Sequence, residues 1–167
     1  MIYVEAPNYE HDNNKDLPKV FLGGGITNCK DWQSDIVEEL RDMDCIIYNP
    51  RRKTFDISDP SQSEIQIVWE HEYLERADIV VFYFCEETVC PITLFEYGAR
   101  LMHNHFTARQ SIYVYCEEKY IRKFDIKIQT DLQMMLSCHP FGKQDVKLFD
   151  NYDLFVLNLS ERIRKGK

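Results

Sequence analysis

Residues 78–98 read Asp-Ile-Val-Val-Phe-Tyr-Phe-Cys-Glu-Glu-Thr-Val-Cys-Pro-Ile-Thr-Leu-Phe-Glu-Tyr-Gly. Ile79 to Phe84 is an unbroken apolar run rich in β-branched and aromatic side chains, the pattern of a strand covered on both faces in a parallel sheet. A short loop, Cys85 to Cys90, leads to Pro91, which suits the first position of a helix because its missing N–H would be unpaired there anyway. Ile92 to Asn104 carries helix formers, with Leu94, Phe95, Gly98, Leu101 and Met102 able to line one side. Glu96 then sits near the start of a helix at the carboxyl end of a central strand, the edge where open α/β sheets bind ligands. The helix dipole is expected to keep a carboxylate there ionised, which suits a nucleophile. Glu96 also stands i,i+4 from Arg100, a spacing that equally allows a surface ion pair.

Working outward, Lys19 to Leu22 reads as a strand cut off by Gly23-Gly24-Gly25. Asp31 is a plausible N-cap for a helix from Trp32 to about Met43, with Ile36, Val37 and Leu40 on its buried side. Cys45 to Tyr48 is a second strand, completing a right-handed βαβ unit. A helix from about Ser63 to Arg76 leads into the central strand. Ser111 to Tyr115 is a fourth strand, Thr130 to Ser137 a helix, Val146 to Phe149 a fifth strand and Tyr152 to Arg164 a last helix. Residues 1–17, with the apolar piece Ile2-Tyr3-Val4 and the polar run His11 to Asp16, read as an edge extension and a loop. The alternation predicts one α/β domain: a doubly wound, Rossmann-like parallel sheet of five strands with helices on both faces.

The totals bound the function. A chain of 167 residues with 44% hydrophobic and 13% aromatic content is globular rather than disordered. A net charge of −8 argues against a nucleic-acid polymer as partner, since phosphate binding needs a basic surface. The six cysteines form no CxxC pair or metal-finger spacing, and no signal or membrane-spanning run is visible. The expectation is free thiols in a reducing, cytoplasmic setting, with no membrane partner, no metal and no cofactor.

Three loops should converge above the sheet: Gly23 to Asn28 (with Ile26), Asn49 to Arg52, and Cys85 to Cys90 (with Thr88). The glycines let backbone N–H groups approach a ligand, though a plain tight turn reads equally well. The triplet is not GxGxxG and no Walker lysine follows it. Arg51 and Arg52 suit a phosphate or carboxylate, or equally a salt bridge to the acidic surface. Glu70 lies on the helix leading into the central strand. Its neighbour His71 reads as a surface residue, because no second histidine stands at metal spacing.

As a set, Phe21-Leu22-Gly23-Gly24-Gly25-Ile26-Thr27, Asp31-Trp32-Gln33, Tyr48-Asn49-Pro50-Arg51-Arg52, Trp69-Glu70, Leu74 to Asp78, Glu86 to Ile92 and Leu94 to Gly98 resembles the nucleoside 2-deoxyribosyltransferase family, in its "like" branch. The resemblance runs in order over about residues 20–100 and implies roles. The glutamate matching Glu96 attacks the anomeric carbon, releases the base and holds a glycosyl-enzyme ester. The residue matching Glu70 contacts the base and helps manage its proton, and the glycine loop cradles the sugar. The chemistry is akin to retaining glycoside hydrolysis. The implied substrate is a small molecule, a deoxynucleoside or its 5′-monophosphate. Phe21 stands where such transferases often carry a tyrosine whose hydroxyl lies near the nucleophile, and Glu70 stands for their aspartate. A nucleotide-binding module without turnover is the alternative that these departures leave open.

Family relatives oligomerise, and the tail supports the same expectation here. Leu154, Phe155, Leu157 and Leu159 spread around more than one side of the last helix, leaving apolar surface for a homodimer or higher oligomer, although a tail packed across its own domain reads nearly as well. Helices next to that of Glu96 are expected in the interface.

Overall fold

The computed structural model describes residues 1–9, 16–56, 58–136 and 145–166. Its strands are β1 (Ile2–Glu5), β2 (Lys19–Gly24), β3 (Ile46–Asn49), β4 (Ile79–Phe84), β5 (Ser111–Cys116) and β6 (Asp145–Phe149). The helices are α1 (Trp32–Glu39), α2 (Pro60–Arg76), α3 (Pro91–Thr107), α4 (Lys123–Leu136) and α5 (Tyr152–Arg164). All strand pairs are parallel, in the order β1-β3-β2-β4-β5-β6. The central strand is β4, every residue of which is buried.

The expected five strands become six among the described residues, because Ile2–Glu5 is a true strand paired with β3 from Ile2↔Ile46 to Glu5↔Asn49. Only Val4 of the four is buried, so this edge strand writes almost no hydrophobic pattern. The polar run expected at 11–16 falls, up to residue 15, outside the described residues. Helix α4 begins at Lys123, earlier than the expected Thr130, and most of the expected α4 segment is helical.

Local signals explain the element starts. The Asp31 side chain accepts from the Ser34 N–H, and Asp59 caps α2 ahead of Pro60. Ile36 and Leu40 of the first helical segment are fully buried, as their spacing requires. The chain turns left from β2 to β3 and right from β4 to β5. Right-handed crossovers therefore put α1 on one face and α2, α3 and α4 on the other. The carboxyl ends of β2 and β4 lie side by side where the winding reverses, the place where such sheets open a crevice.

Two expectations fail in packing. Helix α3 buries Thr93, Tyr97, Arg100, Leu101 and Asn104, whereas Phe95 is 76% exposed and Met102 50%. The phase is set by the Tyr97 ring, edge-on to Phe82 and Phe84, and by buried polar bonds at the opposite rim. There Asn104 donates to the Gln110 carbonyl, and Gln110 donates to the carbonyls of Leu74 and Ala77. The free-thiol expectation also fails for one pair. Cys29 and Cys85, which are 56 positions apart, are joined by a disulfide that sequence spacing could not show, because the fold alone brings their loops together. Cys45, Cys90 and Cys116 are free and buried. Among the described residues no helix is long and apolar enough to cross a membrane.

Candidate active site

At the reversal point lies a pocket of about 520 Å³. Its floor is the β2 end, Phe21 and Gly23 to Gly25, continued by Ile26, Thr27 and Asn28. One wall is α2 with Gln66 and Glu70, and the other is Thr88, Cys90 and the first turns of α3 with Thr93 and Glu96. Pro50, Arg52 and Phe55 stand at the third side.

Glu70 and Glu96 reach this pocket because each stands beside the buried face of its helix, close to the carboxyl ends of the strands. On α2 the buried residues Gln66, Trp69 and Tyr73 bracket Glu70. Gln66 spends both amide hydrogens on fixed acceptors, the Pro50 carbonyl at 2.7 Å and Glu70 Oε1 at 2.8 Å. Burial nonetheless raises the Glu70 pKa, with the Gln66 bond opposing the rise.

Glu96 is pushed up to about 8, first by burial and then by the Glu70 charge, with Arg100 opposing. This corrects the expectation of a carboxylate held ionised by the helix dipole. Glu96 lies in the second turn of α3, where that influence has faded, and desolvation wins. The i,i+4 ion pair is not formed either. Arg100 pairs with Glu75 of α2 instead. Burial and the Glu70 charge thus leave Glu96 the more strongly raised of the two pocket carboxyls.

The glycine triplet is explained by close approach. A Cβ on Gly24 would lie 2.4 Å from the Trp32 ring and 2.6 Å from the Tyr83 carbonyl oxygen. Trp32 itself stacks on Tyr83 with ring centres 4.5 Å apart and donates its indole N–H to the Gly25 carbonyl at 2.9 Å. On Gly25 a Cβ would meet three sulfurs, those of Cys85, Cys90 and Cys29. The loop is thus shaped by what packs beneath and beside it.

Residues 17–120 match the family described as nucleoside 2-deoxyribosyltransferase-like. The chain belongs to that family. No curated protein sequence matches it. The matched span holds every pocket-lining side chain named above, and the family assignment brings small nucleoside-type substrates with it.

Within this family member the pocket collects Gly23, Gly24, Gly25, Ile26, Arg52, Glu70, Thr88 and Glu96 of the residues singled out from sequence. Asn49 and Arg51 lie outside its lining. Asn49 is buried, donates to the Tyr3 hydroxyl at 2.8 Å and accepts from the Arg51 N–H at 2.9 Å. The Arg51 guanidinium straps the loop after β2 by donating to the carbonyls of Lys30 and Cys29 and to Gln33 Oε1. Arg52 stays at the pocket, bonded to Gln62 Oε1 at 2.7 Å with its guanidinium carbon 4.9 Å from the centre of the Phe55 ring.

Two contributors escaped sequence reading. Gln66 could have been found, since it stands i,i+4 before Glu70 on one helix face. Glu117, just past β5, left no signal. Its carboxylate accepts from the Tyr83 hydroxyl at 2.7 Å and the Glu86 N–H at 2.8 Å and pairs with Lys30. Burial alone would raise its pKa, but these three partners hold it below the usual range. Tyr120 adds a bond to the Val89 carbonyl at 2.8 Å, so the 85–90 loop is tied down from the β5 side.

Proposed function

We propose that this protein cleaves, or transfers to a second base, the N-glycosidic bond of a deoxynucleoside or its 5′-monophosphate. The observation that carries the reading is that Glu96 and Glu70, from separate helices, line one pocket beside the glycine loop, with Glu96 raised partly by the charge of Glu70. The productive form is the less populated of the two protonation arrangements, with the proton on Glu70 and Glu96 ionised, because Glu96 is the more strongly raised. A Glu96 oxygen bonds to the anomeric carbon as the carbon–nitrogen bond breaks. The electron pair leaves on the base, which takes the Glu70 proton. Water or an acceptor base then displaces the ester while Glu70 takes back a proton, as in retaining glycoside hydrolysis. Arg52 is the one cationic side chain among the described pocket residues and suits a 5′-phosphate.

Incubation with a panel of deoxynucleosides and their monophosphates, with and without free base, tests this. Base release by wild type and its loss in Glu96→Gln is expected, and equal slow release by both sinks it. A binding module without turnover is the second reading, favoured by buried Phe21, which lines the pocket and offers no hydroxyl. Ligand-induced melting shifts with no base release would select it.

We further propose a homodimer across α3 and α4. On α3, Ile92, Phe95, Ala99, Met102 and Phe106 form an exposed stripe at alternating spacings of three and four. Ile121, in the turn ahead of α4, and Phe124, Ile128, Leu132 and Met135 along it form another, and the two helices pack together. Such a surface is larger than scattered exposed apolar residues explain. It runs into the pocket mouth through Ile92, which belongs to both. In the tail, Phe155 and Leu159 are buried, and only Leu154 and Leu157 of the four expected apolar residues stay exposed.

A further inference from the structure

Three sulfur atoms meet against Gly25, and the proposed reaction uses none of them. Cys29, in the connection from β2 to α1, is bonded to Cys85, the first residue past β4. The Cys90 sulfur lies 3.6 Å from that of Cys85. A Cβ on Gly25 would stand 2.4 Å from Cys85 Sγ, 3.0 Å from Cys90 Sγ and 3.1 Å from Cys29 Sγ. Gly25 and Cys90 both line the pocket, and Cys90 is the residue from which the Glu96 helix starts, held at a φ of 51°. The disulfide therefore staples the two loops that form the pocket floor and the α3 wall.

Unbonded sulfurs need much more separation than bonded ones. The room between these two is closed by Gly25 on one side and Cys90 on another. Breaking the bond removes the covalent cross-link between the Cys29 loop and the Cys85–Cys90 loop, and frees both to move relative to each other at the pocket. We propose that Cys29–Cys85 is a reversible thiol-exchange site that sets the shape of this pocket, with small or protein thiols as its co-reactant.

Access fixes the course of the exchange. Cys85 is fully buried, whereas Cys29 is half-buried. An external thiolate attacks the Cys29 sulfur. The Cys29–Cys85 bond breaks, its electron pair leaves on Cys85, and that sulfur takes up a proton. A second external thiol displaces the first from Cys29, so the protein gains two thiols and the external pair becomes a disulfide. Cys90 does not short-circuit the step, because burial raises its pKa and keeps it a thiol. The inference goes beyond the proposed reaction, and its readouts do not depend on that reaction.

Peptide mapping of the alkylated, unreduced chain is expected to give one linked peptide pair containing Cys29 and Cys85. Dithiothreitol should separate the pair, and oxidised glutathione should restore it. Amide exchange over residues 24–30 and 85–92 should rise roughly fivefold or more on reduction, with β5 unchanged. Cys29→Ser should show the fast exchange under both conditions. If that variant does not fold, the wild-type comparison alone decides. Absence of the linked pair, or exchange indifferent to reduction, overturns the proposal. So does stoichiometric zinc on the purified chain, because reduced Cys29 and Cys85 with Glu87 lie close enough together to hold a metal. An exchange difference without base release in either state would leave this inference standing and count against the reaction alone.

Discussion

Arg100 pairs with Glu75, not with Glu96, although Glu96 is the carboxylate four residues before it on the same helix. The pair sits toward the rim of the sheet opposite the pocket, where Arg100 also donates to Gln110 Oε1 at 3.5 Å. Glu96 is thereby left to a neighbouring carboxyl as its main electrostatic company.

The pH behaviour follows. The folded Glu96 pKa of about 8 stands above the ordinary 4.5, so the folded state holds this proton more tightly than the unfolded chain does. That contribution is fully present below the ordinary value and is lost as pH rises through the window toward 8. Glu96→Gln removes the titration. Its melting temperature should exceed that of wild type by about 5 °C or more at pH 9, and the gap should shrink toward pH 5. Differential scanning calorimetry across that range measures it. In the same window, base release should follow a bell whose alkaline limb falls near the Glu96 value, as the last shared proton leaves the pair.

The adjacent arginines should separate cleanly. Arg51→Ala removes bonds to two carbonyls and a buried glutamine. It should cost roughly 2 kcal/mol and lower the melting temperature by about 5 °C, seen by calorimetry.

Arg52→Ala should leave the melting temperature within about 2 °C, because its partners are at the surface. For a 5′-monophosphate it should raise KM about tenfold, and for the matching deoxynucleoside it should leave KM unchanged. Steady-state kinetics on both substrates is the check. Equal effects on the two would remove the phosphate from that corner of the pocket.

Gly98 offers a test of assembly. It lies mid-helix in α3, and a Cβ there would meet nothing within 4 Å. On a bare surface Gly98→Ala stabilises by ~0.5–1 kcal/mol. In a homodimer built on this face, the same methyl intrudes where a second helix comes close. Sedimentation velocity should then show dissociation at about tenfold higher concentration than wild type needs.

The legible parts of this molecule were those with a strong local pattern. Ile79–Phe84 and Pro91 placed the central strand and the α3 start, and Tyr152–Arg164 was read to both ends. The α3 phase was misread because Arg100 and Asn104 count as polar and exposed in any local scheme. Here they are buried, since Glu75 and Gln110 wait for them from other elements. The same limit hid the Cys29–Cys85 bond and the role of Glu117. Each depends on two loops meeting, and a sequence states such meetings only through resemblance. Glu96 is singled out by its place after the central strand and, with Glu70, by resemblance, whereas their raised pKa values leave no trace in the sequence, because desolvation is a property of the folded pocket.

The side-by-side carboxyl ends of β2 and β4 have one more consequence. The floor of the pocket and its α3 wall hang from neighbouring strands, yet the chain leaves those strands in opposite directions. Each loop can therefore change length or composition without disturbing the ladder that joins Val20–Gly24 to Ile79–Tyr83. For anyone reshaping this pocket, the segments 25–30 and 85–90 are separate parts, joined by the Cys29–Cys85 clasp and by the packing that leaves no room for a Cβ on Gly25.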